Sequence, residues 1–157
     1  MSDLSRRTVL SLTAFAALSA CGGRRRARTE VNRGDLHPGE TPDMRTLINK
    51  YAGVHQIPPS LLHRVIQRES DYNAGARNGP YYGLMQILPQ TAQTMGYRGS
   101  PQGLLDAETN LMYAGRYLRG AYIVANGNED RAVMWYAKGY YYEAKRKGLL
   151  EETGLRG

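Results

Sequence analysis

Gln67-Arg68-Glu69-Ser70, followed after a loop by Gly83-Leu84-Met85-Gln86, is the stretch on which the fold turns. Upstream of it Leu62, Val65 and Ile66 recur at helical spacing. Glu69 comes seven residues after Leu62, a spacing that drifts only about 20° from the same helical row. The pattern therefore predicts a helix that carries a carboxylate on the side meant for the core. A glutamate is rarely buried without a reason. Residues 70–82 hold Asp71, Asn73, Gly75, Gly79 and Pro80, and read as a loop.

On either side of this stretch the chain is helical. Thr41-Pro42-Asp43 offers an N-cap followed by proline in the first turn, and Met44, Leu47, Ile48 and Tyr51 continue at helical spacing. Pro58-Pro59 breaks the chain and starts the Glu69 helix. Pro89 opens a short helix that ends near Met95-Gly96. Asp106-Ala107-Glu108 places acid at the start of a long helix with Leu111, Ala114, Leu118 and Tyr122 as its inner row. Gly115 and Gly120 interrupt it, either as tolerated surface residues or as points of close packing. Asn128-Glu129-Asp130 caps a helix carrying Val133 and Tyr136, and a last helical piece runs from about Gly139 to Lys147. No convincing alternating strand is visible. The expected fold is mainly α: one helical domain with a cleft.

Composition narrows the function. The chain has 157 residues, enough for one domain, and a net charge of +7. Such charge suits nucleic acid, an anionic membrane surface or an anionic wall polymer. Much of the excess sits in Arg24, Arg25, Arg26, Arg28 and Arg33, ahead of the domain, so nucleic acid is not expected as a partner. The 12 Tyr against 1 Phe and 1 Trp suit a half-wet cleft. One Cys excludes an internal disulfide. His37, His55 and His63 have no ligand-like spacing, so neither a metal nor another cofactor is expected.

The first residues read as an address. Arg6 and Arg7 precede an apolar stretch at residues 9–20, too short to span a bilayer. Leu18-Ser19-Ala20-Cys21 resembles a bacterial lipobox, which implies cleavage before Cys21 and lipidation of its sulfur. Ser5-Arg6-Arg7-Thr8-Val9-Leu10 resembles in part a twin-arginine export signal. Gly22 after the cysteine resembles the pattern of an outer-membrane destination. The expected organisation is an export signal at 1–20, a lipidated cysteine and flexible basic tether at 21–40, the domain at 41–150 and a tail at 151–157.

Glu69-Ser70, Gly83-Leu84-Met85-Gln86, Pro89, Thr91-Ala92, Asn110, Tyr136 and Gly139, in that order, resemble the soluble lytic transglycosylase (SLT) domain of the lysozyme-like superfamily over about residues 43–148. The resemblance implies a lysozyme-like α+β fold, a monomer, and the peptidoglycan glycan strand as substrate. It implies cleavage of the β-1,4 bond after N-acetylmuramic acid without water, leaving a 1,6-anhydro end. Glu69 would be the single acid and base. Ser70, Tyr82, Gly83, Met85, Gln86 and Tyr136 would bind substrate, with the Tyr136 hydroxyl touching the acid. An acid of reference pKa about 4.3 works better at neutral pH when burial raises it, so Glu69 is expected in dry surroundings. Arg68 would oppose this if close, but adjacent residues on a helix are not expected to face each other.

One departure stands out: the family's Tyr-Asn-x-Gly reads Tyr136-Ala137-Lys138-Gly139 here. Tyr81 and Tyr82 replace small residues, as a sugar-stacking platform or as filler beside a turn. Two other readings stay open. A hydrolytic muramidase would want a second carboxylate opposite Glu69, and Asp71, Asp106 and Glu108 are poor candidates. A lipoprotein that binds peptidoglycan without cleaving it is suggested by the missing Asn.

Overall fold

The computed structural model describes residues 33–156, and the helix starts carry the chemistry that the sequence predicts. The helices are α1 (Pro42–His55), α2 (Pro59–Ser70), α3 (Pro89–Thr94), α4 (Ala107–Val124), α5 (Glu129–Lys138) and α6 (Tyr141–Lys147). The Thr41 side chain accepts the Met44 N–H at 3.1 Å to cap α1. Asp106 accepts the Thr109 N–H at 2.8 Å to cap α4, and Asn128 accepts the Arg131 N–H at 2.9 Å to cap α5. Caps of this kind satisfy donors that the helix cannot and contribute about 1 kcal/mol each. Pro59 and Pro89 sit in first turns, where no N–H is needed.

The long helix α4 is the axis of the domain. It packs against α5, α1, α3 and α6, while α2 packs against α1 and α5. Ile48, Leu61, Leu62, Val65, Ile66, Leu84, Leu111 and Leu118 are fully buried between these helices. Burial of each such side chain contributes roughly 1.5–3 kcal/mol. Both α4 glycines are points of close packing: a methyl at Gly115 would overlap the His55 ring, and one at Gly120 the Tyr140 hydroxyl. Tyr122 is only half-buried, and Ala121 takes its place in the inner row.

The loop after Glu69 contains a small hairpin that the sequence reading missed. Strands β1 (Arg77–Asn78) and β2 (Tyr81–Tyr82) pair antiparallel, with Arg77 opposite Tyr82 and Asn78 opposite Tyr81. Two residues are too few to show a period of two.

Residues on both sides of the expected 41–150 domain make contacts with it. Residues 33–40, read as the end of a tether, pack onto the helices. Glu40 is buried, and the Arg45 guanidinium grips its two oxygens at 2.6 Å each. Glu40 lies beside His63 of α2, whose Nδ1 is 2.9 Å from the Tyr72 hydroxyl, and the His37 ring stacks near both. Burial pushes the Glu40 carboxyl up, but the Arg45 fork, the His37 N–H and nearby positive charge together bring it below its ordinary value. Burial also pushes His63 down to about 4 and Tyr72 up to about 12. In the expected tail, Thr153 is buried and donates to the Leu149 carbonyl at 2.7 Å. Cys21, the export signal and the basic run at 24–28 lie outside the described residues.

Candidate active site

The turn at 83–86 is the hub of the site. It is closed by the Gln86 N–H on the Gly83 carbonyl at 3.1 Å and flanked by a reciprocal backbone bridge between Tyr82 and Ile87. Elements far apart in sequence then hold its backbone. Ser70, at the end of α2, donates to the Leu84 carbonyl at 2.7 Å. Asn110 of α4, fully buried, accepts the Met85 N–H at 2.9 Å and donates to the Tyr82 and Leu104 carbonyls at 2.9 and 2.8 Å. Tyr136 of α5 donates its hydroxyl to the Met85 carbonyl at 2.8 Å. Gly83 has φ +74°, and any side chain there would overlap the Leu104 carbonyl and the Asn110 amide. Only glycine accommodates both demands.

The turn and α5 wall a groove made of two hollows. One, of about 330 Å³, is lined by Arg68, Glu69, Asn78, Tyr81, Gln86, Tyr136 and Ala137. The other, of about 270 Å³, shares Tyr81, Gln86, Tyr136 and Ala137 and continues past Thr91 and Tyr117 to Lys138 and Gly139. Ligand sites are commonly concave and mixed in this way, apolar walls carrying a few fixed polar groups. Among the described residues that line either hollow, Glu69 alone carries a carboxyl group.

Glu69 stands in the last turn of α2, on the wall of the groove. Its side chain is 24% exposed, so the dry burial expected from the apolar row is not what the structure has. The helix outruns the core here: Val65 and Ile66 are fully buried, and the next turn projects into the groove. Arg68 corrects a second expectation. Its Nε and Nη2 both donate to Glu69 Oε1, because a long guanidinium side chain reaches a neighbour that its Cβ does not face. Oε2 carries no hydrogen bond among the described residues.

The residues expected to bind substrate divide sharply. Gln86 lines both hollows; its Nε2 donates to the Gly83 carbonyl at 2.8 Å and the Ala76 carbonyl at 3.1 Å, which fixes the amide. Its Oε1 is buried without a partner among the described residues, and its backbone has φ +47°. Strain and unmet polar capacity of this kind gather at functional sites. Tyr136 also lines both hollows, but its hydroxyl binds the Met85 carbonyl rather than the acid. Burial, with the Glu69 charge nearby, pushes that phenol well above its ordinary range, so it stays a donor.

Ser70, Tyr82, Gly83 and Met85 line neither hollow. Met85 is fully buried and serves the site through its backbone, as Gly83 does. Tyr82 points inward, with the Arg77 guanidinium 4.8 Å from its ring centre. Tyr81, its neighbour in the strand, is 42% exposed and lines both hollows, as side chains alternate along a strand. The pair Tyr81-Tyr82 was visible in the sequence; which member faces the groove depends on the hairpin.

Asp71, Asp106 and Glu108 line neither hollow. Asp106 caps α4, and its backbone bonds hold it below the usual carboxylate range. Glu108 pairs with Lys50 and Tyr51. Asp71 ends α2 with φ 49°. His37, Glu40 and His63 do bring ligand atoms within 4.8 Å of one another, which their spacing did not suggest. Yet a cation among them would face the Arg45 guanidinium that already grips both Glu40 oxygens. The cluster is an ion-paired latch for the chain before α1.

No solved structure matches this chain. Residues 46–151 match the transglycosylase SLT domain, a match that spans α2, the turn, Asn110 and Tyr136. The chain thus belongs to the transglycosylase SLT domain family, within the lysozyme-like group that acts on peptidoglycan.

Proposed function

We propose that this protein is a peptidoglycan lytic transglycosylase that cleaves the N-acetylmuramyl β-1,4 bond with Glu69 as its one acid and base. The observation that supports this is that Glu69 is the single carboxyl group along the groove among the described residues. A hydrolase of the usual kind needs a second carboxylate to activate water or attack the sugar. With one, the substrate must supply the rest. Glu69, protonated on Oε2, gives its proton to the leaving glycosidic oxygen as the acetamido carbonyl of the same sugar attacks the anomeric carbon. The carboxylate then removes the proton of the sugar's 6-hydroxyl, whose oxygen displaces the acetamido oxygen and closes the 1,6-anhydro ring. Both nucleophiles are tethered to the reacting carbon, which lowers their entropic cost. Arg68 steadies Oε1 and so orients the carboxyl group.

The test is mass spectrometry of soluble products from purified sacculi. Wild-type protein should release muropeptides lighter by one water than reducing-end products. Glu69→Gln keeps shape but removes the titrating proton, and should lower the rate by roughly 10²–10⁴-fold with the fold intact. Reducing-end products would refute the mechanism in favour of hydrolysis. Binding to sacculi without release would favour a wall-binding protein. We further propose export and lipid anchoring through Cys21, on the periplasmic face of an outer membrane. Cys21→Ser should then move the protein from the membrane to the soluble fraction, and an unchanged distribution would refute the anchor.

A further inference from the structure

We propose that Lys138 reads a carboxylate on the glycan strand, making the half of the groove that Glu69 does not line an anion-selective subsite. The inference rests on the glycan-cleaving reading above and deepens it.

Neutral sugars are recognised by hydroxyls and aromatic faces, and this half already offers them in Thr91, Tyr81 and Tyr117. Lys138 adds a different chemistry: three donors, no acceptor and a full positive charge. It makes no hydrogen bond or ion pair among the described residues, and no carboxylate lines its half of the groove. Arg68, the cation of the other half, is occupied by Glu69. Lys138 is also well placed. It is the last residue of α5, next to Ala137 on the shared floor, and the Gly139 N–H closes the helix on the Trp135 carbonyl at 2.9 Å. That fixes the Lys138 backbone while leaving its side chain free to reach. A concave site with an unneutralised cation concentrates anions.

On a peptidoglycan strand the carboxylates hang from the lactyl ether of the muramyl sugar. They are either the free lactyl acid or the acids of the peptide attached to it. Both present the same group, and the experiment separates them. A lysine serving only the dipole at the end of α5 would be indifferent to the charge of the strand.

The test is equilibrium binding in the Glu69→Gln background, which does not consume the strands. Three probes are used: denuded strands with free lactyl acids, peptide-bearing strands, and strands whose carboxylates have been converted to amides. Lys138→Gln should weaken binding of a carboxylate-bearing strand about three- to fivefold, the range of an exposed ion pair. Lys138→Arg should restore it, and added salt should shrink the difference. The amidated strand should bind both proteins alike. Whether the denuded or the peptide-bearing strand shows the loss identifies the carboxylate. Equal affinity of parent and Lys138→Gln for every strand, or an equal loss on amidated strands, would overturn the proposal. A wild-type protein that binds strands but releases no anhydro ends would overturn the catalytic reading alone and leave this measurement standing. Failure to bind any strand would overturn both.

Discussion

Asn110→Ala removes three hydrogen bonds from a position with no solvent access: Met85 N–H to Oδ1, and Nδ2 to the Tyr82 and Leu104 carbonyls. The Tyr82 carbonyl keeps the Ile87 N–H at 3.1 Å, so its loss is small. The Met85 N–H and the Leu104 carbonyl lose the Asn110 amide with no water to replace it. Each such group costs about 1–3 kcal/mol, and the vacated volume adds to this, for a total near 3–5 kcal/mol. Against a typical domain stability of roughly 5–15 kcal/mol, that is a large share, equivalent to about 10–20 °C in Tm. Guanidinium unfolding followed by circular dichroism measures it as a lower midpoint at constant slope. Asn110→Asp sharpens the test. It keeps the acceptor for Met85 but sets a carboxylate oxygen against two carbonyl oxygens, so at neutral pH it should be at least as damaging as alanine. Acidification should then recover part of the loss, as a protonated carboxyl regains one donor. An Asn110→Ala protein within about 1 kcal/mol of wild type, or an Asn110→Asp protein more stable than it at pH 7, would refute the reasoning.

Gly83→Ala combines a positive φ with overlap on the Leu104 carbonyl and the Asn110 amide, and should cost about 3 kcal/mol or more, measured by the same unfolding assay. Gly79→Ala, also at positive φ but with nothing within 4 Å, should cost only about 1 kcal/mol; equal losses at both glycines would show that packing at Gly83 contributes nothing. His63 is buried and pushed down to about 4, so the unfolded chain, near 6.5, binds its proton first. Its contribution is therefore whole above pH 6.5 and is lost as pH falls toward 4, by up to about 3 kcal/mol. His63→Gln should flatten the unfolding midpoint across that window, and parallel profiles for the two proteins would refute the assignment.

What the sequence disclosed and what it hid follow one division. Capping is local, so Thr41, Asp106 and Asn128 were legible as helix starts from a few residues each. The order of Glu69, the turn and Tyr136 was legible as well. Their roles were not, because a sequence does not say whether a residue presents its side chain or its backbone. Met85 and Gly83 serve through N–H, carbonyl and the absence of a side chain. Arg68 was misjudged because angular spacing describes Cβ directions, whereas a guanidinium extends several bonds further. The latch of Glu40, Arg45, His63 and Tyr72 joins positions that only the packing of the chain before α1 onto α2 brings together.

This division has a mechanical consequence. The turn at 83–86 is held by α2 through Ser70, by α4 through Asn110 and by α5 through Tyr136, so the helices that make the core also set the groove. Glu69 carries little of that load: the only hydrogen-bond partner of its carboxyl group among the described residues is Arg68, and its side chain is partly exposed. Variants should therefore fall into two groups. Asn110 and Gly83 changes lower stability first, and turnover follows because Gln86 and Tyr136 lose their footing. A Glu69 change strikes turnover and leaves the unfolding midpoint near its wild-type value, because an exposed ion pair contributes only about 0–1 kcal/mol. On the proposed reading of Glu69 as the acid, a rigid frame and a carboxyl group held by one oxygen suit proton transfer to a bulky polymer: the walls must not yield as the strand enters, while the other oxygen must still reach the bond it protonates.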